Sequence, residues 1–149
     1  NSMSFHLFNL NIEKSEKWGV RVNNTKRNTM SNCQVSHSKT CGVGVDYGLI
    51  TINGSGTSIH NNVTGGDSDW YGLYTYSSSS SIHLVSPLTK ESVSINNGGG
   101  QNYDCSYGGT IKTIRSKEEV LCGVDLEGTL HVKPGSNSLF YAVFFYLII

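Results

Sequence analysis

Apolar and polar residues alternate with a period of two along most of the chain. In KWGVRVN (17–23) the apolar positions are Trp18, Val20 and Val22, and in SIHLVS (81–86) they include Ile82 and Leu84. Similar runs occupy 5–12, 47–53, 91–96 and 128–133. A period of two is typical of strands that bury one face, so the pattern predicts a protein built of short strands.

Clusters of small and polar residues separate these runs. The clusters are NGSG (53–56), TGGD (64–67), NNGGGQN (96–102), SYGG (106–109) and KPGSN (133–137). Gly and Asn adopt the positive φ that tight turns require, and the regular spacing of the clusters favours roughly ten strands in a sandwich or barrel. No internal repeat of fixed period is visible.

The fold class that follows is all-β, a single-domain antiparallel β-sandwich of roughly ten short strands. The domain is expected to cover 1–149, with Asn1 and Ser2 before Met3 interpreted as a cloning remnant. Its last strand is LFYAVFFYLII (139–149), which carries no charge and is shorter than the ~20 residues of a membrane helix. We expect this strand to be central and buried. The alternative is a homo-oligomer in which a neighbouring subunit covers strand 139–149.

The composition favours an exposed β protein that acts outside the cell. Only 15% of the residues are charged, against roughly 25% in a typical domain, and small neutral side chains supply the polarity. The net charge is zero, with six basic and two acidic residues in 1–40 and the opposite excess afterwards. Because the domain as a whole is not basic, nucleic acid is not an expected partner. We expect a secreted or cell-surface-acting protein, although no signal peptide is visible in the chain.

Four cysteines allow three pairings. They are Cys33, Cys41, Cys105 and Cys122, and none lies in a Cys-x-x-Cys motif. We expect Cys33–Cys41 and Cys105–Cys122 disulfides, because each would close a hairpin-sized loop. Free buried thiols are the alternative.

The stretch GGDSDWYGLYTY (65–76) is the strongest candidate for a binding site. In a strand, Trp70, Tyr74 and Tyr76 share one face and Tyr71 and Leu73 share the other. One of the two faces must lie in the core, and the alternation does not decide which.

A second aromatic group, with Tyr103 and Tyr107, lies in another Gly-rich segment. Sugar rings stack on aromatic side chains while carboxylates and amides bind their hydroxyls, and a choline headgroup can bind the same rings through its cation. The candidate ligand-binding residues are Asp67, Asp69, Trp70, Tyr71, Tyr74, Asn102, Tyr103 and Tyr107.

Motifs for other chemistry are missing. The two carboxylates of Asp67-Ser-Asp69 are too few for a calcium loop, and no metal or cofactor is expected. No catalytic or phosphate-binding signature occurs, so no catalytic residue is expected. The expected function is therefore non-enzymatic, lectin-like recognition of cell-surface glycans or lipid headgroups.

The middle of the chain resembles the aegerolysins. The similar segments are ITINGSGTSIHNN (50–62), GGDSDWYGLYTY (65–76) and IHLVSPLTKESVSIN (82–96), about a third of the chain. The Cys-Gly-Arg and Trp-Asp-Cys-Pro-Trp signatures of that family are missing here. The resemblance implies a β-sandwich that binds membrane lipids and can act as part of a pore-forming toxin. A membrane-active toxin component is thus one alternative function, and an oligomeric structural or receptor-binding head is another.

Overall fold

Thirteen strands between His6 and Ile114 form three sheets in which every strand pair is parallel. The computed structural model describes residues 3–115, 122–124 and 130–132. The first sheet contains β1 (His6–Phe8), β4 (Asn28–Ser31), β7 (Leu49–Asn53), β10 (Ser81–Val85) and β13 (Thr110–Ile114). The second contains β2 (Asn11–Glu13), β5 (Gln34–Ser36), β8 (Ser58–His60) and β11 (Ser94–Ile95). The third contains β3 (Val20–Asn23), β6 (Val43–Asp46), β9 (Tyr71–Thr75) and β12 (Gln101–Cys105).

Successive strands enter different sheets, and each pairs with the corresponding strand one coil earlier. The chain therefore winds as a parallel β-helix, with one strand of each coil in each sheet. The prediction of an antiparallel β-sandwich is wrong. Period-two alternation shows only that a strand buries one face. In a β-helix even parallel strands keep one face in solvent, unlike the doubly covered parallel sheets of α/β proteins.

Unequal coils explain why the sequence shows no fixed period. The positions paired across the first sheet are His6, Thr29, Thr51, His83 and Lys112, which lie 23, 22, 32 and 29 residues apart. Part of the extra length of the third coil lies in the segment that links the second sheet to the third. Six residues (14–19 and 37–42) link these sheets in the first two coils, whereas ten (61–70) link them in the third.

Positive-φ residues turn the chain at equivalent corners of successive coils. The second-sheet strands are followed by Lys14, His37, Asn61 and Asn96, with φ between 52° and 55°. Asn and His are enriched in this conformation and Lys is not, so Lys14 is the one of these four corner residues whose type gives no indication of the turn.

The interior is a stack of aliphatic side chains, one layer for each coil. Met30 and Leu84 flank Ile52 in the first sheet, and all three are almost completely buried. The third sheet contributes Val22 and Leu73 to the same core. The predicted inward face of 81–86 is confirmed by this burial, and the strand predicted within 47–53 is confirmed as β7.

The predicted strand 91–96 is largely wrong. A short helix, α1 (Lys90–Val93), replaces most of it, and β11 follows. Thr89 caps the helix, accepting a hydrogen bond from the Ser92 amide in a capping box. Val93 is buried but Ile95 is 41% exposed, so the two do not share a face.

The chain divides into two compact units, Asn1–Arg115 and Ser116–Ile149. In the second, β14 (Cys122–Val124) and β15 (Leu130–Val132) pair antiparallel, which confirms a strand within the predicted run 128–133. The strand predicted at 139–149, and the oligomer contact assigned to it, lie outside the described residues. The single domain over 1–149 stays a prediction. Among the described residues, no helix combines the length and apolar character required to cross a membrane.

Candidate functional site

A groove of about 560 Å³ runs over the outer face of the third sheet. Six of its lining side chains are aromatic. The lining residues are Trp18, Arg21, Asp46, Asp69, Trp70, Tyr71, Tyr74, Tyr76, Ser106 and Tyr107.

The floor of the groove is a row of residues aligned by the strand register. Arg21 of β3 pairs with Gly44 of β6, Gly44 pairs with Tyr74 of β9, and Tyr74 pairs with Asp104 of β12. Paired positions of parallel strands project to the same side at roughly 4.8 Å intervals. A cation, a gap, an aromatic ring and a carboxylate therefore follow one another across the sheet.

Gly44 creates the gap that Trp18 fills. A Cβ atom at position 44 would lie 1.7 Å from the Trp18 indole, so the ring lies directly on the glycine backbone. The predicted grouping of Trp18 with Val20 and Val22 is wrong, because those valines are in the core while Trp18 lines the groove. The cause is local. The bend at Gly19 breaks the alternation, and a Cβ there would meet Val35 inside the coil at 2.3 Å.

The aromatic rings form one continuous cluster. Trp18 meets Trp70 edge-on at 5.2 Å between ring centroids, and Trp70 lies 6.2 Å from Tyr74. Tyr74 stacks on Tyr71 at 5.3 Å. Tyr76 lies 6.1 Å from Tyr74 and continues the cluster to Tyr107 at 5.2 Å. The rings fix one another's orientation, which gives a rigid apolar surface beside polar groups.

The long corner 61–70 brings Asp69 and Trp70 to the groove. Asp67 accepts a hydrogen bond at Oδ1 from the Asp69 amide, 2.9 Å away, which shapes the turn before Trp70. The Gly-rich part of 65–76 is therefore an enlarged corner, and its aromatic part begins β9. Leu73 and Thr75 of β9 are fully buried, so the face bearing Trp70, Tyr74 and Tyr76 is the outer one. The predicted grouping of Tyr71 with Leu73 is wrong, because Tyr71 also lines the groove and stacks on Tyr74.

The charge at the groove is predominantly negative. Arg21 donates hydrogen bonds from Nε and a terminal nitrogen to Asp46 Oδ2, at 3.0 and 2.7 Å, and its guanidinium lies 5.0 Å from the Trp18 ring. Asp69 and Asp104 form no salt bridge with the described residues. Asp104 instead accepts a hydrogen bond from the Ser106 hydroxyl.

The phenol groups respond to this negative field. Burial raises the pKa of Tyr71, and the carboxylates of Asp104 and Asp69 raise it further. Burial also raises the pKa of Tyr74, an effect that the Ser106 hydroxyl opposes and Asp104 reinforces. Both phenols therefore stay protonated at neutral pH and can donate hydrogen bonds.

Five of the eight predicted ligand-binding residues line the groove: Asp69, Trp70, Tyr71, Tyr74 and Tyr107. The other three lie elsewhere. Asp67 shapes the corner, and Asn102 accepts a hydrogen bond from the Asn97 amide at 2.9 Å. Tyr103 packs against the core and donates a hydrogen bond to Glu91 at 3.2 Å, with Lys90 above its ring.

The other lining residues are absent from the predicted set: Trp18, Arg21, Asp46, Tyr76 and Ser106. Trp18 and Arg21 lie some fifty positions before Trp70 in the sequence, and only the coil register brings them to the same surface. Tyr76 could have been predicted from the sequence alone, because the alternation places it on the same strand face as Trp70 and Tyr74.

The predicted Cys33–Cys41 disulfide does not form. Both residues are free thiols with no exposed surface, as the alternative of free buried thiols anticipated. Burial raises the pKa of the Cys41 thiol, which keeps it protonated. The second predicted disulfide involves Cys122, whose side chain lies outside the described residues.

Comparison with known proteins gives no family model, curated protein or solved structure that matches the chain. The resemblance to the aegerolysins therefore stays a prediction, while the β-sandwich that it implied does not occur in 3–115. Over the part of the chain that the structure describes, no three His, Cys, Asp or Glu side chains are grouped to hold a metal ion.

Proposed function

We propose that the protein is a non-enzymatic recognition protein that binds glycans in the groove of the third sheet. The observation that carries the proposal is the continuous aromatic cluster from Trp18 to Tyr107, bordered by Arg21 and by the Asp46 and Asp69 carboxylates. Pyranose rings present C–H faces to aromatic rings and hydroxyls to carboxylates. The groove offers both kinds of group side by side.

The form of the groove favours a chain of sugars over a single compact ligand. Its rings lie before β3, in and on either side of β9, and after β12, and neighbouring strands of this sheet are roughly 4.8 Å apart. That distance is comparable to the length of one sugar unit. Tyr107, 74% exposed at one end of the cluster, extends the platform beyond Tyr76. A glycan on a cell surface is the ligand class that suits these dimensions, and we propose that the protein acts there.

The two tryptophans provide a direct assay. Trp18 and Trp70 are the only tryptophans of the chain, and both line the groove. Ligand binding should therefore change the intrinsic fluorescence. Titration with soluble oligosaccharides that are neutral, acidic or amino-substituted should give saturable changes for at least one class and release no new reducing ends.

Trp70→Ala tests the site itself. The residue is half-buried on the outer surface, so its removal should abolish oligosaccharide binding, measured by calorimetry, while circular dichroism stays unchanged. Phe8→Ala is the matched control, since Phe8 is 63% exposed and does not line the groove. If both variants bind like the parent protein, or if no oligosaccharide binds, the proposal is wrong.

A further inference from the structure

We propose that the groove selects glycans that carry a positively charged amino group. This inference rests on the proposed function and specifies its ligand class. It follows from three features of the groove: Asp69, a lining carboxylate without a salt bridge among the described residues; Asp104, a second such carboxylate in register with Tyr74; and the cluster of aromatic faces.

The first argument is the balance of charge. Arg21 is the one cation among the lining residues, and both of its hydrogen bonds to a carboxylate go to Asp46 Oδ2. The carboxylates of Asp69, in the lining, and Asp104, in register with Tyr74, form no salt bridge among the described residues. A bound ammonium group would compensate this charge, whereas an acidic sugar would be repelled by it.

The second argument is the aromatic surface. An ammonium group is attracted to the face of an aromatic ring, most strongly to tryptophan. The Arg21 guanidinium, 5.0 Å from the Trp18 ring, already shows a cation bound this way within the groove. Tyr74 contacts the rings of Trp70 and Tyr71 and is in register with Asp104, so a cation bound here would meet aromatic rings and a carboxylate together.

The experiment compares two oligosaccharides that differ only in this group. Tetramers of glucosamine and of N-acetylglucosamine are titrated at about pH 6 and low salt, where the free amines are charged and aspartates are ionised. We expect at least tenfold tighter binding of the glucosamine tetramer, and a preference that weakens as salt is added. Phosphocholine is titrated in parallel, to separate a sugar amine from a lipid headgroup.

Charge-removing variants locate the effect. Asp69→Asn and Asp104→Asn should each reduce the preference for the amino sugar by roughly threefold to tenfold and weaken binding of the uncharged acetylated tetramer less. Glu13→Gln, an exposed carboxylate in the second sheet, should change neither.

Equal binding of the two tetramers would overturn this inference and leave glycan recognition intact. A preference that survives both Asn substitutions would also overturn it. Binding of phosphocholine with no binding of either tetramer would overturn both the inference and the proposed function.

Discussion

A buried amide at one corner of the coil provides the sharpest test of the fold. Asn62, 1% exposed, accepts a hydrogen bond at Oδ1 from the Ser38 amide at 3.1 Å. Its Nδ2 donates to the Val35 carbonyl at 2.9 Å and to Asn97 Oδ1 at 3.0 Å. Asn97 Oδ1 also accepts a hydrogen bond from the Asn62 backbone amide, and Asn97 Nδ2 donates one to the Ile59 carbonyl. The two side chains therefore join successive coils.

Asn62→Ala removes a side chain that hydrogen-bonds to two fully buried backbone groups of this corner and to the half-buried His60 carbonyl. The Ser38 N–H and the Val35 carbonyl would each lose a partner, at about 1–3 kcal/mol for each buried group. The expected loss is thus about 2–6 kcal/mol. A unit of this size has a free energy of unfolding of about 6–17 kcal/mol, so the variant should fold with a clearly lower stability.

The assay is urea unfolding followed by far-ultraviolet circular dichroism, with the midpoint and slope fitted together. Asn11→Ala is the control, because Asn11 is exposed and donates only to the exposed Glu13 carboxylate. That change should stay within about 0.5 kcal/mol of the parent protein. A similarly small change for Asn62→Ala would refute the prediction that this amide is buried between coils. An antiparallel arrangement of the strands would not bury it there.

Two further predictions concern the interior. Thr75 is fully buried and its hydroxyl has no hydrogen-bond partner among the described residues. Thr75→Val should therefore raise the free energy of unfolding by about 1 kcal/mol. A lower free energy of unfolding in urea would contradict this. Under native conditions a thiol reagent should modify the exposed Cys105 quickly, but Cys33 and Cys41 only after unfolding. Mass spectrometry of peptides identifies the modified residues. Rapid modification of Cys41 in the native protein would contradict the prediction that this thiol is buried and protonated.

The sequence predicted the faces of single strands better than their arrangement. Ile82 and Leu84 point inward as their alternation indicates, because period two reflects which side of a strand is buried. The same alternation occurs whether neighbouring strands pair parallel or antiparallel, so it does not indicate the direction of pairing. A fixed repeat would have revealed the coils, but lengths of 22 to 32 residues between paired positions obscure it.

The same limit applies to the groove. Local reasoning identified the aromatic residues of β9 because they are adjacent in sequence. It also assigned binding to Asn102, whose polar side chain instead accepts a hydrogen bond from the Asn97 amide at a corner. A buried amide that satisfies backbone groups and an exposed amide that binds a ligand look alike in sequence, and only the neighbouring coil distinguishes them.

The register of the third sheet explains why the groove forms at this place. Arg21, Gly44, Tyr74 and Asp104 occupy one row, so a change in any coil alters the site although the residues are far apart in sequence. Gly44 is the clearest case, because the Trp18 indole occupies the space where a larger residue would place its Cβ. The enlarged corner 61–70 then supplies Trp70 against that ring. The groove therefore arises from two local features of the coil, the missing side chain at Gly44 and the longer corner 61–70.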